Sequence, residues 1–217
     1  MTTEAERPRR ADAIRNREAI LTSAREIFTA DGLQVPMSVV ARRAGVGIAT
    51  LSRNFADRDE LVAAVFAAEM TAYADAAEAA LTDPDPWHGF CTFVETACAL
   101  QSSDRGFTAV LAMTFPRAGG LEAERARAFR SFVTLVRAAK AAGRLRRDFS
   151  PEDLPIILMA NAGVVTAAGI AAPAAARRLL GYVLQACSAE HTEPLPKPPT
   201  PRQMYEAMTS IQTPGHQ

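Results

Sequence analysis

From Arg15 to Ala30 the apolar positions are Ile20, Leu21, Ala24, Ile27 and Phe28, a spacing that places them on one face of a helix. Asp31-Gly32 closes it, because glycine readily takes the left-handed conformation of a helix end. Pro36 opens a short segment, Met37 to Ala44, with Val40, Ala41 and Ala44 on one side, and Gly45 ends it. Ile48 to Phe55 forms a second short helix carrying Leu51 and Phe55. Asp57-Arg58-Asp59-Glu60 is a variant of the capping box. It predicts one long amphipathic helix with Leu61, Val62, Val65, Phe66, Met70 and Tyr73.

Asp83-Pro84-Asp85-Pro86 is a strong break, in which Asp85 can cap and Pro86 can fill the first helical position. Helices are predicted from about Trp87 to Ser102 and from about Asp104 to Thr114, with Pro116 and Gly119-Gly120 closing the second. Leu121 to Ala142 is a long helix ended by Gly143. Ser150-Pro151-Glu152-Asp153 starts another, running to about Ile170, and Pro173 starts the last main one, to about Ala189. Residues 1–13 read as a polar, basic, disordered arm. Prolines 194, 196, 198, 199 and 201 make an extended tail, followed by a short helix from Gln203 to Ile211. With abundant alanine, no strand pair and no repeat, the fold class is all-α.

Composition changes this picture little. The 217 residues are 48% hydrophobic and 22% charged, as in an ordinary globular chain, which excludes wholesale disorder. Leu154 to Ala176 carries no charge over 23 residues and is long enough to span a bilayer. Nine of them are alanine, two glycine and two proline, so a buried helix is expected and no membrane partner. The N-terminus lacks the apolar core of a secretion signal, and a cytoplasmic location is expected. Cys91, Cys98 and Cys187 suit small core positions in a reducing compartment. No His/Cys spacing suits zinc, so neither metal nor cofactor is expected.

Charge is informative only locally. The chain sums to zero, from 24 Lys and Arg against 24 Asp and Glu. Between Arg7 and Arg58, however, ten arginines face five acids, a surplus of five. Short helices joined by a glycine turn, on a basic segment, suggest a helix-turn-helix. A helix entering the major groove must present small or polar residues to the base edges. With Leu51 and Phe55 inward, Gly47, Ala49, Thr50, Arg53 and Asn54 face outward. The two glycine and alanine positions permit close approach, Thr50 can meet a base, and Arg53 can hold a phosphate. On pattern alone the same face serves equally as the solvated side of a three-helix bundle.

Residues 15–66 resemble the DNA-binding head of the tetracycline-repressor (TetR) family. The resemblance lies in Arg17-Glu-Ala-Ile-Leu, Ala24-Arg-Glu-Ile-Phe, Asp31-Gly32, Val40-Ala41-Arg-Arg-Ala-Gly-Val46, Thr50-Leu51, Arg53-Asn-Phe55 and Arg58-Asp-Glu-Leu61. Asp85-Pro-Trp, Leu100-Gln-Ser-Ser-Asp-Arg-Gly106, Leu158-Met-Ala-Asn-Ala-Gly163 and Pro201-Arg-Gln-Met-Tyr205 are similar to the subgroup with SbtR-like C-terminal domains. The resemblance implies a three-helix head over 14–66, with the motif at 36–55 and a long helix leading to a dimerisation and ligand-binding body over 67–190. A Pro-rich tail fills 191–217. It implies a sequence-specific regulator, a repressor released from its operator by a small molecule. Ser38, Gly47, Ile48, Ala49, Thr50, Ser52, Arg53, Asn54 and Arg58 are the implied DNA contacts, with 47–50 reading bases and Arg53 and Arg58 on phosphate. Ser52 stands where the family usually has Tyr, and Pro36 where it usually has Ser or Thr. Arg7, Arg9 and Arg10 can compensate.

The expected partners are palindromic operator DNA, a second copy of the chain and a small, mostly apolar effector. The homodimer is expected through Leu158, Ala162, Val165, Gly169, Leu180, Val183 and Leu184, since small residues allow close helix approach. Phe90, Phe93, Phe107, Met113, Phe115 and Phe132 are the candidates for the effector site, with core packing as the alternative for each. An enzyme is the rival class, but no Glu-x-x-His pair or recognisable nucleophile arrangement supports it. A non-specific nucleoid or scaffold protein is the other rival.

Overall fold

A computed structural model of the protein describes residues 6–191 and 193–210. The described residues form helices α1 (Glu6–Asp31), α2 (Met37–Arg43), α3 (Ile48–Asn54), α4 (Arg58–Val65), α5 (Ala67–Ala80), α6 (Pro86–Ser103), α7 (Arg105–Ala112), α8 (Gly119–Ala141), α9 (Asp153–Ala167), α10 (Ala172–Cys187) and α11 (Pro201–Ser210). Among the described residues there is no strand, only an isolated antiparallel bridge between Leu145 and Ser188. No described helix is long and apolar enough to cross a membrane. The uncharged run at 154–176 is divided into α9 and α10 by a short turn at Gly169–Ala171.

Local chemistry accounts for most helix starts. Asp57 accepts from the amide of Glu60 (3.0 Å) while the Glu60 carboxylate reaches back to the amide of Ala56 (2.6 Å), so both ends of the box are made. Asp85 accepts from the amide of Trp87 with Pro86 at the first position of α6. Asp104 accepts from the amides of Gly106 and Phe107 at the start of α7.

Several boundaries differ from expectation. α1 begins at Glu6, so the part of the expected disordered arm from residue 6 to 13 is helical. Gly119 and Gly120 open α8 instead of closing the helix before it. α9 starts at Asp153, because the Asp153 carboxylate accepts from the Ser150 amide and makes a turn of 150–152. The expected long helix from Asp57 is two helices, broken at Phe66 (φ −110°, ψ 16°). The Arg25 guanidinium donates to the Val65 carbonyl at this break, and a side chain captured by a helix carbonyl is one of the known causes of a kink.

The head packs Ile20, Ala24, Phe28, Val40, Leu51, Phe55 and Leu61 around one centre, all buried. The body is organised on an aromatic cluster. Phe132 lies 5.8 Å from Phe90 and 5.4 Å from Phe93, and Phe149 meets Phe90 edge-on at 5.3 Å. α6 crosses the end of α5 so closely that a Cβ at Gly89 would stand 2.5 Å from the Ala80 carbonyl oxygen. Backbone cannot retreat as a flexible side chain can. Gly89→Ala is therefore expected to destabilise by about 1–3 kcal/mol. At roughly 2–4 °C per kcal/mol for a chain of this size, calorimetry will read it as a clear fall in Tm. Gly120→Ala, where a Cβ meets nothing within 4 Å, is the control and should not lower Tm.

The three cysteines are free. Burial pushes the Cys98 and Cys187 thiols up to about 12 and that of the half-buried Cys91 up to about 11, so all three stay protonated.

Candidate nucleic-acid interface

α2 and α3 meet through Gly45, whose φ of +68° is left-handed and would strain any side chain. The Val46 amide returns to the Ala41 carbonyl (3.0 Å) and closes the turn. α3 is then held by burial of Leu51 and of Phe55 just beyond its end. Gly47, Ile48, Ala49, Ser52 and Arg53 are exposed, and Thr50 and Asn54 are half-buried. Ile48 is 51% exposed, an apolar side chain standing out between glycine and alanine. Its methyl groups suit contact with a thymine methyl group.

The outward polar groups form a short chain. Arg53 donates to the Thr50 hydroxyl (3.1 Å), and the Asn54 amide donates to the Thr50 carbonyl (2.8 Å). Asn54 is thus committed to its own helix, whereas Arg53 can exchange one exposed hydroxyl for a phosphate. Ser38 is exposed in the first turn of α2, beside Pro36, whose carbonyl accepts from Val39 (2.9 Å). Pro36 supplies no side-chain cap. Arg58 is only partly available: its guanidinium donates to Gln34 (2.6 Å), and its Nε is buried without a partner.

Sequence reasoning missed Arg17. It donates to the Asn54 carbonyl (3.2 Å) and lies 4.4 Å over the Phe55 ring, so α1 fixes the C-terminal end of α3. A cation at that end also opposes the helix dipole. Arg17 stands in the motif that carries the family resemblance and in the arginine surplus, but neither says that its side chain turns toward α3.

A second missed constellation joins head to body. Arg25 of α1 reaches Glu69 of α5 (2.6 Å) and Asp104 (3.0 Å), and Thr29 donates to Asp104 (3.2 Å). Asp104 thus caps α7 and receives α1 with the same carboxylate. Beside it the Phe66 ring lies between Phe28 of the head (6.4 Å) and Phe107 of the body (6.2 Å).

Two sets of expected residues are placed differently. Phe90, Phe93, Phe107, Met113, Phe115 and Phe132 are all buried, and the aromatic contacts among them form packed core. The cavity described further below is lined by other residues. Of the expected dimer residues, Leu158, Val165 and Leu180 are buried within the single chain, and Ala162, Val183 and Leu184 are half-buried. Only Gly169 is exposed. α9 is apolar on every side, so periodicity cannot say which face turns out. The outward residues include Ile156, Ala160, Gly163, Thr166, Ala167 and Ile170, and on α10 Arg177, Arg178 and Tyr182.

The model of bacterial regulatory proteins of the tetR family matches residues 20–65, and the model of the SbtR-like transcriptional regulator C-terminal domain matches residues 85–186. The chain belongs to the TetR family. It is a DNA-binding transcriptional regulator with α2 and α3 as its helix-turn-helix. Solved structures repeat the fold. A TetR-family transcription regulator from Shewanella sp. PV-4 is 18% identical with a TM-score of 0.54, covering 80% of this chain and 98% of its own. The ketosteroid transcriptional regulator KstR2 of Mycobacterium tuberculosis is 15% identical with a TM-score of 0.58, covering 79% and 94%. The regulator FadR from Bacillus subtilis, solved with stearoyl-CoA, is 13% identical with a TM-score of 0.57, covering 78% and 96%. No curated protein matches the chain.

Proposed function

We propose that this TetR-family chain is a cytoplasmic repressor that binds a palindromic operator as a homodimer and leaves it when a small, mostly apolar molecule enters the body. The observation that carries the DNA-reading part is the outward face of α3, where Gly47, Ile48 and Ala49 leave room for base edges beside Arg53 and Thr50. The surplus of five positive charges between Arg7 and Arg58 supports it, since phosphate attraction supplies the sequence-independent part of affinity. The outward residues Ile156, Ala160, Gly163 and Ala167 of α9 offer an apolar strip for a second copy, with Arg177, Arg178 and Tyr182 of α10 exposed beside it. A two-fold axis there sets two α3 helices against half-sites about 34–36 Å apart. No catalytic role is proposed; both matched families are regulators.

Selection of bound duplexes from random DNA tests this reading and separates it from a non-specific nucleoid protein. An enriched inverted repeat is expected. Arg53→Ala should then weaken every sequence alike and reduce the slope of log affinity against log salt by about one. Thr50→Ala should instead relax preference at one position, by about 1–3 kcal/mol. Selection that enriches nothing would defeat the proposal.

A further inference from the structure

α11 lies beyond residue 186, where the match to the SbtR-like body ends. It is short, and it turns Met204 and Met208 inward while Arg202, Gln203 and Glu206 stay exposed. Beneath the two methionines is a cavity of 370 Å³, walled by Leu111, Phe129, Leu154 and Leu158. Phe129 is 38% exposed although α11 lies over this region, so the wall is not closed by packing.

The polar groups at the cavity are already committed. Arg125, the cation among the described lining residues, donates to the carbonyls of Val110 (2.9 Å) and Met113 (2.8 Å) and to Glu122 (3.2 Å). Glu122 in turn accepts from the Phe115 amide (2.7 Å). These bonds satisfy the end of α7, and drawing Arg125 toward an anionic ligand would leave those carbonyls without their donor. Burial pushes the Tyr73 phenol up to about 12, so it stays un-ionised. The site is made for an uncharged apolar molecule.

The connection to α11 is anchored where it leaves α10. Arg146, itself buried, donates to the carbonyls of Ala186 (3.0 Å) and Glu193 (2.6 Å) and pairs with Asp148 (2.5 Å). Asp148 accepts from the Leu195 amide (2.8 Å), and the Arg146 guanidinium holds its carboxyl well below the usual carboxylate range. From Pro196 to Pro199 the chain is a proline-rich arm, stiff and extended at about 3 Å per residue. α11 caps itself at the end of that arm: the Gln203 side chain accepts from the Thr200 amide (2.9 Å), and Thr200 accepts from the Gln203 amide (3.3 Å). A self-capped helix on a pinned, stiff arm can move as one unit about the start of that arm. Methionine is the side chain best suited to occupy an apolar mouth and then yield it.

We propose that α11 is a hinged lid over a binding site for an uncharged apolar ligand, and that Met204 and Met208 fill the mouth until the ligand displaces them. The regulatory meaning of the lid rests on the effector reading above, but its binding test contains no DNA. The probe is N-phenyl-1-naphthylamine, a neutral compound that fluoresces on burial, added to the full chain. Saturable fluorescence is expected, with faster exchange of the α11 amides when the probe is bound. Met204→Ser with Met208→Ser should raise the association rate at least fivefold. Phe129→Glu should abolish binding while the far-UV circular dichroism stays unchanged. Glu206→Ser, on the exposed side of the lid, should change neither. Absence of saturable binding would overturn the site. An unchanged association rate in the double variant, in protein that melts as the parent does, would overturn the lid. Operator affinity that ignores a bound probe would count against effector release and leave the lid standing.

Discussion

Replacing Phe66 by alanine is expected to cost about 3–5 kcal/mol and to separate the melting of head and body. Phe66 is 0% exposed and sits at the break between α4 and α5, its ring placed between Phe28 and Phe107. A Cβ on Gly106 would stand 2.6 Å from its Cζ, which shows how closely α7 is fitted to it. The ring is therefore the apolar half of the joint whose polar half is Arg25 with Asp104 and Glu69. Without it the head retains its own centre around Leu51 and Phe55, and the body retains its aromatic cluster, while the stack that runs from Phe28 through Phe66 to Phe107 is lost. Trp87, the single tryptophan, lies at the start of α6 and reports on the body alone. Its fluorescence and the far-UV circular dichroism should melt together in the parent and apart in Phe66→Ala. Coincident curves in the variant, at any Tm, would show that the joint is not what couples the two parts. Arg25→Ala acts on the same joint by another route, because it removes the cation from Glu69, one of whose oxygens is already buried without a partner.

Gly163→Glu should convert a dimer into a monomer without unfolding the chain. Gly163 is exposed on α9, and a Cβ there meets nothing within 4 Å, so the single chain has room for the new side chain. Glutamate is also a better helix residue than glycine. In the proposed dimer this position lies beside the exposed Ile156, Ala160 and Ala167 at the two-fold axis, where a carboxylate buried without a partner would cost several kcal/mol. At about 1.4 kcal/mol per tenfold, dimer affinity should fall by roughly a hundredfold or more. Light scattering at micromolar concentration should give twice the 23.2 kDa chain mass for the parent and the single mass for the variant. Operator affinity should fall with it, since one head engages one half-site. A variant that still scatters as a dimer would place the interface on another face. Leu158→Asp is the contrasting case: that side chain is buried within the single chain, so unfolding is expected, not dissociation.

The family resemblance and the helix-turn-helix were legible in the sequence because their determinants are local. Asp57, Asp85 and Asp104 cap helices through amides no more than three residues away. Gly45 makes its turn by its own backbone freedom, and Leu51 and Phe55 share a face because they are four residues apart. The outward set at 47–54 follows from the same periodicity, and the arginine surplus needs only counting. Each of these facts involves a few neighbouring residues, so each survives reading along the chain.

What tertiary structure decided involves residues far apart or faces that periodicity cannot rank. The break at Phe66 depends on Arg25, whose guanidinium arrives from 40 residues away, and the head–body joint depends on Asp104, 79 residues from Arg25. Asp104 carries a perfectly ordinary cap signal, and nothing local shows that the same carboxylate also receives α1. In α9 every face is apolar, so the choice of Leu158 and Val165 for the core and of Gly163 for the outside was made by what α6 and α7 packed against. Phenylalanine spacing likewise marks Phe90, Phe93 and Phe132 as inward-facing, but whether inward means packed ring or cavity wall depends on whether the facing surfaces fit. They fit around Phe132, and they leave 370 Å³ open beneath Met204 and Met208. The sequence by itself determined the all-α class, the caps at Asp57, Asp85 and Asp104 and the basic head, because those are set within one or two turns. The joint, the outward faces of α9 and α10, and the lidded cavity were decided only when helices met, because side chains distant in the chain compete there for one space.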